Sequence, residues 1–197
     1  GNVFEKMPDA NAVLRWNRLY LRDEIALFFQ VSFEDPETGE IDLSGITVRH
    51  PEKKTLLEIL EDFEARAQKV RELKDKELED TRQTMKRIPL AFIGTIMSLI
   101  SFFAYTLNLK LPNVPRDAFG SAMITNVGSL GLQEAYAPLV PYSRVPIVIA
   151  LSAIEDEAVV EDGEIVIGKM MRVFATMDHR VVDGRHASIM SKTLKTY

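Results

Sequence analysis

The sequence predicts an α/β (α+β) fold, a mixed sheet flanked by helices, and three features carry that expectation. β-Branched and aromatic runs such as Asp23–Phe33 and Pro146–Ile154 are bounded by turn-forming residues, as buried strands are. Leu56, Leu57, Leu60, Phe63, Ala67, Val70 and Leu73 recur at helical spacing and put one apolar stripe on a helix. An apolar share of 46% in 197 residues is ample for a buried core.

Taken in order, Gly1–Leu21 is mixed, with Pro8 and Asn11 as punctuation and Trp16 the only tryptophan. The strand at Asp23–Phe33 follows. Asp35–Gly39 supplies turn chemistry, proline presetting one dihedral and glycine accepting a positive one. Ile41–Arg49 returns as a second strand. Thr55 and Glu58 have the spacing of a capping box, in which hydroxyl and carboxylate satisfy two orphan amides at a helix start. The helix they open covers the sheet with its apolar stripe and turns a charged face to solvent, a better reading than a partner-binding coiled coil. From Lys74 to Arg87 the periodicity weakens.

Ile88–Leu109 contains no charged residue and approaches the roughly 20 residues a membrane-spanning helix needs. A single crossing would put the strands before it and the chemistry after it on opposite sides of a bilayer. A hydrophobic helical insert lying in a membrane interface, or packed in an oligomer, fits better. Pro112, Pro115 and Asp117 then break the helix, and Pro138 and Pro141 mark a loop before the strand at Pro146–Ile154. Glu161-Asp162-Gly163 signals a hairpin between Ala158–Val160 and Glu164–Ile167. Met170–Thr176 reads as a last strand and Ala187–Thr196 as a terminal helix.

Composition excludes several classes. A formal charge of −5 gives no basic excess for nucleic acid. Cysteine is absent, which removes disulfides, thiolate zinc sites and a cysteine nucleophile. His50, His179 and His186 lack ligand spacing, so no metal site is expected. No signal peptide opens the sequence, which points to the cytoplasm. Residues 1–197 read as one domain truncated at both ends.

The chemistry concentrates at Met177–Gly184, Met-Asp-His-Arg-Val-Val-Asp-Gly. Histidine carries a proton near neutral pH, and a carboxylate four residues on, Asp183, could fix its tautomer while Gly184 lets the backbone turn. Taken alone, such a pair reads better as a core histidine and a helix cap. A second segment, Gly120–Gly131 (Gly-Ser-Ala-Met-Ile-Thr-Asn-Val-Gly-Ser-Leu-Gly), places Thr125 beside Asn126, Gly128 and Ser129. For Thr125 the bland alternative is a strand hydroxyl bonded to local backbone.

The two segments together resemble the acyltransferase (E2) catalytic domain of 2-oxo acid dehydrogenase complexes. Met177–Gly184 is similar to its Asp-His-Arg-x-x-Asp-Gly signature, and Gly120–Gly131 to its glycine-rich segment upstream. The family shares the fold of chloramphenicol acetyltransferase, so the resemblance implies that fold and a homotrimer with its site between subunits, capable of higher assembly. It implies His179 as general base, Thr125 as stabiliser of the oxyanion, Asp183 as organiser of the histidine loop through an arginine, and Asn126, Gly128, Ser129 and Gly184 as loop-shaping or substrate-binding residues. Coenzyme A would be a substrate, with a lipoyl group on a separate domain or partner. Gly120-Ser121 stands where the family has a double glycine, and Met177 where it has an aromatic. His186 reads as a solvent-facing helix residue. The expected function is coenzyme A-dependent acyl transfer with a thiol such as dihydrolipoamide, in the cytoplasm or at a membrane surface contacted through 88–109. The alternative is a non-catalytic E2-like trimeric scaffold or membrane-associated assembly subunit.

Overall fold

In the computed structural model the described residues are 1–34, 39, 41–71, 89–111 and 117–196. The turn expected at 35–38, the expected stripe position Leu73, the weakly periodic 74–87, and Pro112 and Pro115 lie outside them. The chain opens with a short helix α1 (Asn2–Lys6), a turn of 3-10 helix at Pro8–Ala10, and the hairpin β1 (Ala12–Arg15) and β2 (Arg18–Leu21). The segment read as mixed is therefore structured. Its hairpin turns on Trp16 and Asn17, both at positive φ, so it lacks the glycine that usually announces such a turn.

The main sheet has five strands in the order β4-β3-β5-β6-β7. These are β3 (Ala26–Glu34), β4 (Ile41–Arg49), β5 (Ala122–Asn126), β6 (Ile147–Glu161) and β7 (Glu164–Met177). β5 lies between β3 and β6, parallel to both, while β4 and β7 pair antiparallel at the two edges. The sequence divides the last two strands into four pieces; the structure joins them into two, around a turn at Asp162 and Gly163 with positive φ at both. Beyond Ile154 this pair continues past β5 as a two-stranded ribbon, with Val160, Ile165 and Ile167 exposed.

Helix α2 (Leu56–Arg71) begins on the expected capping box: the Thr55 N–H donates to Glu58 Oε2 at 2.7 Å and the Glu58 N–H to Thr55 Oγ1 at 3.3 Å. It covers β3 and β4 as expected, but through a narrower face. Ala67 joins Val31 and Ile46 in a small core, and Phe63 meets Phe29 edge-on at 5.4 Å. Leu56, Leu57 and Leu60, assigned to the stripe from their spacing, are exposed. Spacings of three and four mark two overlapping faces, and only one can meet the sheet.

The apolar insert is helical: α3 (Leu90–Ser101) runs into a π-helical turn at Phe102–Thr106. Among the described residues no helix is long and apolar enough to cross a membrane. Trp16, at the tip of the first hairpin, meets Phe102 edge-on at 6.3 Å, so an exposed hairpin and an exposed helix end share one apolar surface.

The larger core joins the two ends of the sequence. Phe4, Met7, Ala10 and Ala12 pack with Ala122, Ile147, Val181, Val182 and Met190. Met190 belongs to α4 (Gly184–Lys195), which starts three residues before the expected Ala187.

Candidate functional site

β5 and β7 each end on one of the two sequence motifs, and they end differently. Thr125 is penultimate in β5 and half-buried, level with Ala150 of β6. Directly after it the chain folds into a tight turn. The Val127 N–H donates to the Leu151 carbonyl at 3.0 Å, the Ser129 N–H to Asn126 Oδ1 at 3.3 Å and the Ser129 hydroxyl to the Asn126 carbonyl at 2.8 Å. Gly128 leaves no room for a side chain: a Cβ there would run into the Ser152 carbonyl and lie 2.6 Å from the Ala153 nitrogen. These two residues sit at the irregularity in β6, between Leu151 and Ile154, where the β6–β7 register shifts. A turn of one strand is thus keyed into a bulge of the next.

β7 ends at Met177 and delivers His179 to a turn (178–183) on the way to α4. The Asp178 N–H donates to the Pro146 carbonyl at 2.8 Å, and the Val181 and Val182 amides return to the Asp178 carbonyl, each at 2.9 Å. The Asp178 carboxylate accepts from the Arg180 amide at 3.1 Å and from its guanidinium at 2.9 and 2.7 Å, and these bonds, the side-chain pair first, hold its pKa below the usual carboxylate value. Val181 and Val182 are buried against the N-terminal segment. Burying such a side chain is worth roughly 1.5–3 kcal/mol, so these valines fix the loop from beneath. His179 is exposed at its crest, with no hydrogen bond to another described residue.

Asp183, expected to organise the histidine loop, has no hydrogen bond to His179 itself and closes the turn from its far end. It caps α4: the His186 N–H donates to Asp183 Oδ1 at 3.1 Å, and the same oxygen lies 2.6 Å from His186 Nδ1. Those bonds, the backbone one foremost, lower the Asp183 pKa. Gly184 turns no corner either; it is the first residue of α4, has no positive φ, and a Cβ there would meet nothing within 4 Å. His186 does not face solvent: its side chain is 13% exposed, with Nε2 3.1 Å from Asp9 Oδ2.

The register sets the two motifs apart. Thr125 is level with Ala150 and Ala150 with Phe174, so Met177 lies three residues further along β7. That is on the order of 10 Å along the strands, with two interstrand spacings of about 5 Å each across the sheet. Thr125 stands at the carboxyl end of β5 and His179 beyond its amino end, out of hydrogen-bond reach within one chain. Asn126, Gly128 and Ser129 gather around Thr125; Asp178, Arg180 and Asp183 stay with His179.

Sequence reasoning missed one buried ion pair. Arg22 donates through Nε to Asp117 at 2.8 Å, through Nη1 to the Ala12 carbonyl at 2.7 Å and through Nη2 to the Arg144 carbonyl at 3.2 Å, with 4% of its side chain exposed. It ties the first hairpin to the approaches of β5 and β6. Gly120, at φ 61°, makes the matching bend before β5, where a Cβ would crowd Ala26. Among the described residues no group of three metal-ligating side chains occurs.

Residues 116–197 match the family model described as 2-oxoacid dehydrogenases acyltransferase (catalytic domain). The dihydrolipoyllysine-residue acetyltransferase component of the pyruvate dehydrogenase complex of Bacillus subtilis is 37% identical over 67 residues, 34% of this chain and 15% of that protein. The corresponding component from Rhizobium meliloti is 32% identical over 78 residues, 40% of this chain and 17% of that protein. The chain thus spans a small part of these curated relatives. Over nearly its whole length it shares the fold of solved structures. A probable dihydrolipoamide acetyltransferase from Listeria monocytogenes superposes with a TM-score of 0.67 at 14% identity, covering 99% of this chain and 64% of that one. A dihydrolipoamide acetyltransferase (E2p) from Azotobacter vinelandii, studied for a serine, a histidine and an asparagine in its catalytic mechanism, gives 0.64 at 19% identity, covering 98% and 62%. The cubic core of a pyruvate dehydrogenase multienzyme complex gives 0.65 at 19% identity, also covering 98% and 62%. The fold is that of these catalytic cores.

Proposed function

We propose that this chain, matched to an acyltransferase catalytic domain over residues 116–197 and folded like one along nearly its whole length, is a coenzyme A-dependent acyltransferase. It moves an acyl group between coenzyme A and a thiol such as dihydrolipoamide carried on a lipoyl-bearing partner or domain. His179, neutral, takes the proton of the incoming thiol as sulfur attacks the thioester carbonyl. The carbonyl oxygen becomes an oxyanion, to which the Thr125 hydroxyl donates. Collapse expels the second sulfur, which recovers the proton from the imidazolium. Asn126, Gly128 and Ser129 hold the turn that presents Thr125, and Gly184 opens the helix behind the histidine loop. No step needs a metal or a covalent acyl-enzyme.

The observation that supports this best is the placing of the two motifs at opposite ends of one sheet. Each is exposed or half-exposed and supported by its own turn, yet too far from the other for one chain to use both. A homotrimer in which His179 of one copy faces Thr125 of the next reconciles them, and the cubic core among the solved relatives is a precedent for higher assembly. The Azotobacter protein's asparagine follows its histidine by four residues, the offset of Asp183 from His179. The working place would be the cytoplasm.

A second reading, an E2-like trimeric scaffold or membrane-associated subunit, is favoured by the apolar surface where Trp16 meets Phe102. Acyl exchange separates the two. Acetyl- and longer acyl-coenzyme A are supplied with dihydrolipoamide and thiol release is followed. Turnover, falling by about a hundredfold or more in His179→Ala, is expected. A folded, trimeric protein that turns over no donor would favour the scaffold.

A further inference from the structure

His186 occupies a position that the acyl-transfer reading leaves unused. Both of its ring nitrogens face carboxylates from opposite ends of the sequence: Nδ1 lies 2.6 Å from Asp183 Oδ1 and Nε2 3.1 Å from Asp9 Oδ2. Asp9 sits in the turn Pro8–Ala10, whose Ala10 is in the main core with Met7. Asp183 is the cap of α4 and the last residue of the turn that carries His179. Nδ1 is also 3.1 Å from the Asp183 backbone nitrogen.

These contacts cannot all be made in one protonation state. Only the imidazolium donates from both nitrogens. In the neutral ring that donates to Asp9, Nδ1 carries a lone pair. That lone pair can accept from the Asp183 N–H, but at 2.6 Å it would oppose the Asp183 carboxylate. Losing the proton therefore sets one of the two carboxylates against a lone pair, Asp183 if Nδ1 gives it up and Asp9 if Nε2 does, and one arm of the pairing is lost either way.

We propose that His186 is a positioning residue for the histidine loop: as an imidazolium clamped between Asp9 and Asp183 it holds turn 178–183, and so His179, against the N-terminal segment, and it releases that hold when deprotonated. The inference rests on the acyl-transfer reading for its effect on rate, and on geometry alone for the clamp. The ring is enclosed by few charges. Among the described residues, the N-terminal turn contributes Asp9; the cap of α4 contributes Asp183, and Arg185, next to His186 in sequence, is exposed; α1 contributes Lys6, whose ammonium is 3.4 Å from Thr193, about two helical turns further along α4. Burial alone would lower the histidine pKa. The hydrogen bonds and charges of Asp9 and Asp183 outweigh it, and the net shift is upward. The sign follows. A raised folded-state pKa stabilises fully below the ordinary histidine value, and that contribution is lost as pH rises through the raised one. A general base must be a neutral imidazole, so acyl transfer asks opposite protonation states of His179 and His186.

Two readouts test this. In acyl exchange the parent's rate should fall on the alkaline side, and Asp9→Asn, which alters a mostly exposed carboxylate, should move that fall down by about half a pH unit or more. His186→Lys, cationic throughout, should abolish the fall. Coincident profiles for the parent and both variants would overturn the proposal. Independently of turnover, NMR of the intact protein follows the His186 ring and the amides of Asp178–Val182. These amides should titrate with the ring, and both midpoints should drop together in Asp9→Asn. A ring that titrates without the loop amides, or a midpoint that Asp9→Asn leaves in place, would overturn the clamp even in a protein with no acyl transfer. A protein that shows the clamp but no turnover would instead count against the acyl-transfer reading alone.

Discussion

The turn after β5 presents Thr125 and the turn after β7 carries His179, yet the two turns are held by different physics. Around Thr125 the determinant is steric: Gly128 lies against the bulge at Ser152 and Ala153 so closely that no side chain fits, and neutral bonds from Ser129 complete the turn. Around His179 it is electrostatic: Asp178 with Arg180 at the front, Asp183 with His186 at the back, and two buried valines beneath. A steric turn keeps its shape across pH, while one built on carboxylates and an imidazole does not. The hydroxyl that receives an oxyanion gains from a fixed frame, whereas the histidine that moves a proton sits in a frame that itself titrates.

The largest test of that contrast is whether the two turns work from different copies. His179→Ala and Thr125→Ala should each lose about a hundredfold or more in acyl exchange, as general-base and oxyanion removals do. Unfolding and refolding the two together should then return activity, because about a quarter of the sites in randomly mixed cyclic oligomers pair an intact histidine with an intact threonine. A mixture no more active than its components would place both groups in one copy and break the comparison.

A smaller effect sharpens the steric half. Gly128→Ala should cost roughly 1–3 kcal/mol of stability, as overpacking does, measured by urea unfolding, with a penalty that is flat in pH. A penalty that varied with pH would mean that charges reach this turn as well. The smallest effect belongs to the electrostatic half. Asp178→Asn removes a pair whose arginine is 72% exposed, so its cost should stay below about 1 kcal/mol. The Asp178 pKa is lowered by its partner, so the pair's contribution is present above the ordinary aspartate value and fades as pH falls through the lowered one. Parent and variant should therefore converge in acid; curves that stay parallel there would deny the pair its role.

Much of this was legible because it is local. The capping box at Thr55 and Glu58, the turn at Asp162-Gly163 and the strands on either side of β5 follow from spacing and turn chemistry within a few residues. The unity of β6 was hidden, since Glu155, Asp156 and Glu157 interrupt its apolar run. A ribbon with little cover tolerates charge, and hydrophobic periodicity reports burial, not hydrogen bonding. The first hairpin was hidden for the same reason, as all of β2 is exposed. Of the site, the motifs were visible and their partners were not. Asp183 and His186 have the three-residue spacing of a capping box with an imidazole in place of the usual Glu or Gln, an available signal, but Asp9 joins them from the other end of the sequence. The bond from Arg22 to Asp117 is equally non-local.

The ribbon formed by the far halves of β6 and β7 has a consequence for how the molecule breathes. Two strands without a third are marginal in water, so their outer pairs, such as Val160 with Ile165 and Ala158 with Ile167, can open while the rest of the sheet stays closed. Near Ile147, β6 is tied to β5 and to the core beneath the histidine turn, and β7 is held there through β6. A single hairpin thus spans both extremes of local unfolding free energy. Amide protons at its tip should trade with solvent by fraying, and those of β6 at its base, paired on both sides, should be the slowest of the hairpin.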